Sequence, residues 1–207
     1  MAYVFLFFYY SIRAIAEAID SVYLKIKKMV TEETRVNGFS VKEDVFYRGH
    51  TWISREDGKI RVGVDDFAQK ILGHIYKVKF PPKGYEVKSG NPACIFSCDR
   101  GRAQMVTPIP GVIVDVNEKL SRDGSSVKKD PYGRGWLFVI KPAEEFKGLL
   151  RGEQVKKWLQ GEVEKLHTML ESQLGYTMTD GGSLVQDAHL KLSQDQWASL
   201  VKSVLSN

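Results

Sequence analysis

The chain is poor in the residues that most reactive sites are built from. Only two cysteines, Cys94 and Cys98, occur in 207 residues. Four apart on one strand, their Cα atoms lie roughly 13 Å from each other at about 3.3 Å per residue. A disulfide needs less than about 7 Å, so they do not pair within that strand, and a reducing, cytoplasmic setting is expected. The four histidines, His50, His74, His167 and His189, make no HxxxH or His/Cys ligand spacing, so no metal site is expected. A Gly-rich phosphate loop and a nucleophile elbow are both missing, which argues against an autonomous enzyme. No basic segment precedes the apolar run Met1–Tyr10 and no small-residue cleavage site follows it, so a signal peptide is not indicated. Arg13 ends that run well short of the about 20 residues that a spanning helix needs. A net charge of +5, with lysines and arginines interspersed among acids, predicts solubility and no nucleic-acid footprint.

What remains is a run of short strand signals between helical ends. Ile12, Ile15, Ile19, Val22, Ile26 and Met29 form the seam of an N-terminal helix over 1–36. That helix is expected to pack on its own domain, dock on a partner helix, or lie near a membrane through Met1–Tyr10. Over Thr31–Ser40 the apolar periodicity lapses, and Asn37-Gly38 marks a turn or a linker. A β domain over 41–160 follows. Phe46–Ser54 alternates as a strand, Glu56–Lys59 is a hairpin turn and Lys59–Val64 is its partner. Asp65-Asp66 opens a short helix with Phe67, Ala68, Ile71 and Leu72 inward and Gly73 as its stop. Ile75–Phe80, the segment around Val87, and Gly111–Val116 add strands, Asn117–Leu120 a helical turn, Ser121–Asp130 a loop, and Pro131–Ile140 a turn feeding a last strand.

A hairpin stands at the centre of this set. Ala93–Phe96 and Gln104–Val106 flank a charged turn, Asp99-Arg100-Gly101-Arg102. Arg100 and Arg102 around Gly101 offer forked donors for a carboxylate or phosphate, or else charge a solvated tip. Cys98 beside two arginines is a candidate reactive thiol; Cys94, Phe96 and Cys98 also share a strand face, which would make it buried and inert.

Beyond the core, Val155, Leu159, Val163, Leu166, Leu170 and Leu174, with Trp158, mark one amphipathic helix ending at Gly175. Tyr176–Ala188 reads as a connector. Ser193 and Gln196 form a capping box for a last helix, with Leu192 and Trp197 as its staple. Trp197, Leu200, Val201, Val204 and Leu205 should face a partner, including a helix-mediated oligomer, or fold back on the core. Residues 161–207 are thus a helical extension.

Four segments together resemble the glycine cleavage system H protein family. They are His50-Thr51-Trp52-Ile53; Val62-Gly63-Val64-Asp65-Asp66-Phe67-Ala68-Gln69 with Leu72-Gly73; Asn117-Glu118-Lys119-Leu120; and Pro131-Tyr132-Gly133-Arg134-Gly135-Trp136-Leu137. The resemblance implies a mainly β fold, the barrel-sandwich hybrid or hammerhead of lipoyl and biotinyl carrier domains, flanked here by terminal helices. It also implies a lysine bearing lipoate at a hairpin tip, in a pattern close to E-S-V-K-A. Counting from Gly90 and back from Pro108, that lysine's position is occupied by Arg100, and Ser97, Cys98 and Asp99 replace the residues before it. A guanidinium keeps its proton and has a delocalised lone pair, so Arg100 cannot form the lipoyl amide. The expectation is therefore a non-lipoylated H-protein-like subunit without cofactor, serving interaction, structure or regulation. Its partners would be proteins, among them glycine cleavage or lipoate-handling enzymes; a further reading is a degenerate regulator that competes with true H proteins for them. The alternative is a one-carbon or acyl carrier with another attachment site, such as Cys98.

Overall fold

The computed structural model describes residues 33–88, 90–174 and 188–206. Of the expected N-terminal helix over 1–36, residues 1–32 with Met1–Tyr10 lie outside these residues and Glu33–Val36 is a strand, not helix; nearly all of the expected connector also lies outside. In chain order the elements are β1 Glu33–Val36, β2 Phe39–Lys42, β3 Phe46–Arg48, β4 Thr51–Glu56, β5 Lys59–Val64, α1 Asp66–Leu72, β6 Ile75–Lys79, β7 Glu86–Val87, β8 Pro92–Cys98, β9 Gly101–Val106 and β10 Gly111–Val116. A 3-10 turn at Glu118–Ser121, α2 Ser125–Lys129, β11 Phe138–Pro142, α3 Glu153–Leu174, α4 Ala188–Lys191 and α5 Gln194–Leu205 complete the set. Among the described residues the strands form three sheets, ordered β1-β2, β3-β4-β5-β11-β10-β7 and β6-β8-β9. The fold is mainly β, as expected, but no sheet closes into a barrel.

Local chemistry accounts for most of these elements. Asp57 and Gly58 take positive φ of 46° and 72° between the paired residues Glu56 and Lys59, the two-residue turn whose twist suits a β hairpin. Asp65 caps α1, its carboxylate accepting from the Ala68 amide at 2.8 Å, and Gly73 ends the helix at φ 77°. Opposite Gly63 on β5 stands Trp52 of β4, its indole so close that a Cβ on Gly63 would lie 2.4 Å from the ring. The glycine lets the indole lie flat across the strand, and the indole N–H donates to the Pro131 carbonyl at 3.0 Å. The Asn117 amide donates to the carbonyls of Arg134 and Trp136, at 2.9 and 2.8 Å. That side chain pins the Pro131–Trp136 turn to the end of β10.

Four expectations need correction. Phe46–Ser54 is two strands, because Gly49 at φ 54° reverses the chain and pairs Arg48 with Thr51. Of the turn or linker expected at Asn37-Gly38 the turn forms: at φ 49° and 85° these residues close the β1–β2 hairpin, with Phe39 and Val41 buried, so strand structure begins at Glu33, ahead of the expected domain start at 41. Within Ser121–Asp130 a five-residue helix forms, with Val127 buried and Asp123 accepting from the Ser125 amide and hydroxyl. One buried residue in five leaves no periodic signal to read. Ala188, assigned to the connector, opens the helical turn α4.

The α3 helix runs unbroken across Gln160 and Gly161 as the single amphipathic helix expected, so the extension from 161 begins inside it. Residues Thr34–Asn207 form one compact unit. The expected inward stripes of α3 and α5 are buried from Val155 to Leu170 and from Trp197 to Leu205, so α5 folds back on its own core. Its capping box is present, with Ser193 accepting from the Gln196 amide and Gln196 accepting from the Ser193 amide. Among the described residues, no helix is long and apolar enough to cross a membrane.

Candidate functional site: the tip of the β8–β9 hairpin

Cys98 and Gly101 pair across β8 and β9, so the turn itself holds only Asp99 and Arg100. Gly101 and Arg102, expected in the turn, belong to β9. Gly101 adopts φ 133°, which a glycine accepts at the start of the return strand. The Asp99 amide donates to the His74 carbonyl at 3.1 Å, tying the turn to the residue that follows α1.

At the tip Asp99 and Gly101 are exposed, and the residue between them is partly covered. Arg100 is half-buried, and its Nη2 donates to the Leu192 carbonyl between α4 and α5. The Gln194 side chain, in the first turn of α5, donates back to the Arg100 carbonyl. His189 of α4 stands 3.8 Å from the Asp99 carboxylate, and the Trp197 indole donates to the Ile71 carbonyl in α1 at 3.0 Å. Arg102 is exposed on β9 opposite Ser97, which is half-buried. The two arginines are thus placed differently: the Arg100 guanidinium donates to a backbone carbonyl, and Arg102 is exposed.

Both cysteines are buried and unpaired with each other. Burial, reinforced by the charge of Asp99, pushes the Cys98 thiol up to about 12, and burial alone raises Cys94. The two arginines do not offset this, because the sulfur lies on the inward face of β8 with Cys94 and Phe96. Among the described residues no group of three His, Cys, Asp or Glu side chains is placed to hold a metal ion.

A second cluster was not apparent from the pattern of residues. His50 is 1% exposed, its Nδ1 is 2.9 Å from Asp65, its Nε2 faces the Glu162 carboxylate at 3.8 Å, and its ring stacks on Phe67 at 4.3 Å. Burial lowers the imidazole's proton affinity, but Asp65 and Glu162 together outweigh it and hold His50 at about 9. In turn His50 draws Glu162 down to about 2. Beside it a cleft of about 530 Å³ opens between Phe67, Trp158, Glu162, Met169, Leu200 and Val204. Only the His-Thr-Trp motif hinted at this cluster, since Glu162 sits in a helix whose periodicity concerns its apolar face.

The folded His50 binds its proton more tightly than an unfolded histidine near 6.5, so its contribution is complete below about 6.5 and lost as pH rises through about 9. Glu162 contributes above about 4.5 and loses that as pH falls toward 2. Urea unfolding should therefore show greatest stability near pH 5–6.5, with a loss of up to about 3 kcal/mol by pH 9.5 that His50→Gln abolishes.

The glycine cleavage H-protein family model matches residues 45–162. A probable glycine cleavage system H protein of Aeropyrum pernix is 41% identical over 119 residues, covering 56% of this chain and 83% of that one. The glycine cleavage system H protein of Oceanobacillus iheyensis is 33% identical over 124 residues, covering 58% and 98%. Among solved structures, the glycine cleavage system H protein of Mycobacterium marinum superposes with a TM-score of 0.52 at 28% identity, over 58% of this chain and 99% of that one. The end of α3, together with α4 and α5, lies beyond the family match. The match spans the six-stranded sheet, α1 and the β8–β9 hairpin with Arg100 at its tip, and on it the chain belongs to the glycine cleavage H-protein family.

Proposed function

We propose that this H-protein family member lacks the lipoyl lysine and works without cofactor, as a non-catalytic interaction or regulatory subunit in the cytoplasm. The observation that carries the reading is Arg100. It holds the second position of a two-residue turn at the hairpin tip, and its guanidinium is engaged by the Leu192 carbonyl. A carrier needs a nucleophilic amine there, free to receive an acyl group and to swing; a guanidinium supplies neither the lone pair nor the freedom. Carriage on Cys98 is disfavoured by the same geometry, since a buried thiol held near 12 offers almost no thiolate at neutral pH.

The partners in this reading are glycine cleavage or lipoate-handling enzymes, bound through the family surface without a transferable group. Intact-mass measurement of protein purified from its native host should return the unmodified mass. A covalent adduct on Cys98 or on any lysine would overturn the reading. Binding to lipoate ligase or glycine decarboxylase, measured by calorimetry, is expected to be detectable and to be weakened by competing H protein.

A further inference from the structure

The three residues at the tip are each engaged by the C-terminal segment. His189 faces Asp99, Leu192 accepts from Arg100, Gln194 donates to the Arg100 carbonyl, and Gly101 lies under Gln194 and Trp197. A Cβ on Gly101 would come within 3.2 Å of the Gln194 amide nitrogen and 3.6 Å of the Trp197 ring. The seat extends to the end of α1. Gly73 carries no side chain where a Cβ would lie 2.5 Å from the His189 ring, and the Ile71 carbonyl accepts from Trp197. Two bare glycines and one helix end thus form a shallow bed that α4 and α5 fill.

The anchoring is apolar as well as polar. Trp197, Leu200, Val201, Val204 and Leu205 are all buried, so α5 is packed against the domain and does not merely touch the tip. Every residue that covers the tip lies after the stretch matching the family, which ends at 162.

We propose that α4 and α5 are an intramolecular cover over the Arg100 side chain that denies this position of the β8–β9 tip to modifying enzymes. The identity of the tip as a lost attachment site rests on the function proposed above; the cover itself rests on the contacts alone. An enzyme that acts on the side chain at a hairpin tip must reach it, and here the Arg100 side chain is held against the Leu192 carbonyl while Asp99 and Gly101 stay exposed. Access requires α4 and α5 to lift away.

Arginine-directed labelling with phenylglyoxal, mapped by peptide mass in the full chain, tests this with Arg102 as the exposed internal reference. Arg100 should label at least about tenfold more slowly than Arg102, and approach it in Trp197→Ala. Ser193→Ala/Gln196→Ala, which weakens α5 at its cap without opening a core cavity, should raise Arg100 labelling in the same direction. Equal labelling of Arg100 and Arg102 in the unaltered chain, or no rise in either variant, would overturn the proposal. A second arm uses lipoate ligase with lipoate and ATP on Ser97→Glu/Asp99→Val/Arg100→Lys. Lipoylation at position 100 should be faster when Trp197→Ala is added, and equal rates count against the cover. An adduct on the native protein would sink the non-carrier reading while leaving protected Arg100 and the cover intact.

Discussion

Asp65→Ala is expected to lower stability at pH 6 by about 3–5 kcal/mol, because it leaves a buried, charged imidazole without its nearest carboxylate. Asp65 has two duties. One oxygen accepts from the Ala68 amide as the N-cap of α1, and the other lies 2.9 Å from His50 Nδ1. Loss of the cap alone costs about 1 kcal/mol. The rest comes from His50, which is 1% exposed and would keep only Glu162, at 3.8 Å. Asp65→Asn separates the two, since an amide oxygen still caps but carries no charge. Chemical denaturation at pH 6 and at pH 9.5 measures both. The charge component should be prominent at pH 6 and shrink at pH 9.5, where the native imidazole also loses its proton. A cost of only about 1 kcal/mol at both pH values would mean that Asp65 is a cap and nothing more.

Trp52→Ala should cost a similar amount, about 3–5 kcal/mol, through the void left by a fully buried indole. The indole covers Gly63 across the β4–β5 pair and donates to the Pro131 carbonyl, so it joins the largest sheet to the turn before β11. Its loss uncovers β5 and leaves the Pro131 carbonyl to find another donor. The contact also predicts a strong departure from additivity. Gly63→Ala in the unaltered chain places a Cβ 2.4 Å from the ring and must displace it, whereas the same change in Trp52→Ala meets no ring. Gly63→Ala should therefore destabilise the parent chain by more than 1 kcal/mol and the Trp52→Ala chain by much less. A double-mutant cycle by urea unfolding reads this coupling. Equal costs in both backgrounds would show that β5 moves to accommodate the methyl group.

Much of the local structure was legible before any coordinates. Asp65 as N-cap, Gly73 as stop, Asp57-Gly58 as a turn and the Ser193–Gln196 capping box each depend on a few neighbouring residues whose side chains act on their own backbone. Errors fell where the pattern was silent about direction. Alternation from Phe46 to Ser54 reads the same whether the chain continues or folds back, and only the backbone at Gly49 decides. Helix α2 has a single buried residue, too few to set a period.

The site divides along the same line. From the sequence alone came the family, the hairpin, and arginine as the residue at its tip. Only the tertiary structure decided what that arginine does, because its partners, Leu192 and Gln194, lie 92 and 94 residues further on. It decided likewise that Cys98 is buried, that His50 meets Glu162, and that α5 closes on its own domain. Residue spacing records contacts a turn or a strand pair apart; which distant surfaces meet is set by burial of apolar area from every element at once, and no single segment carries that sum.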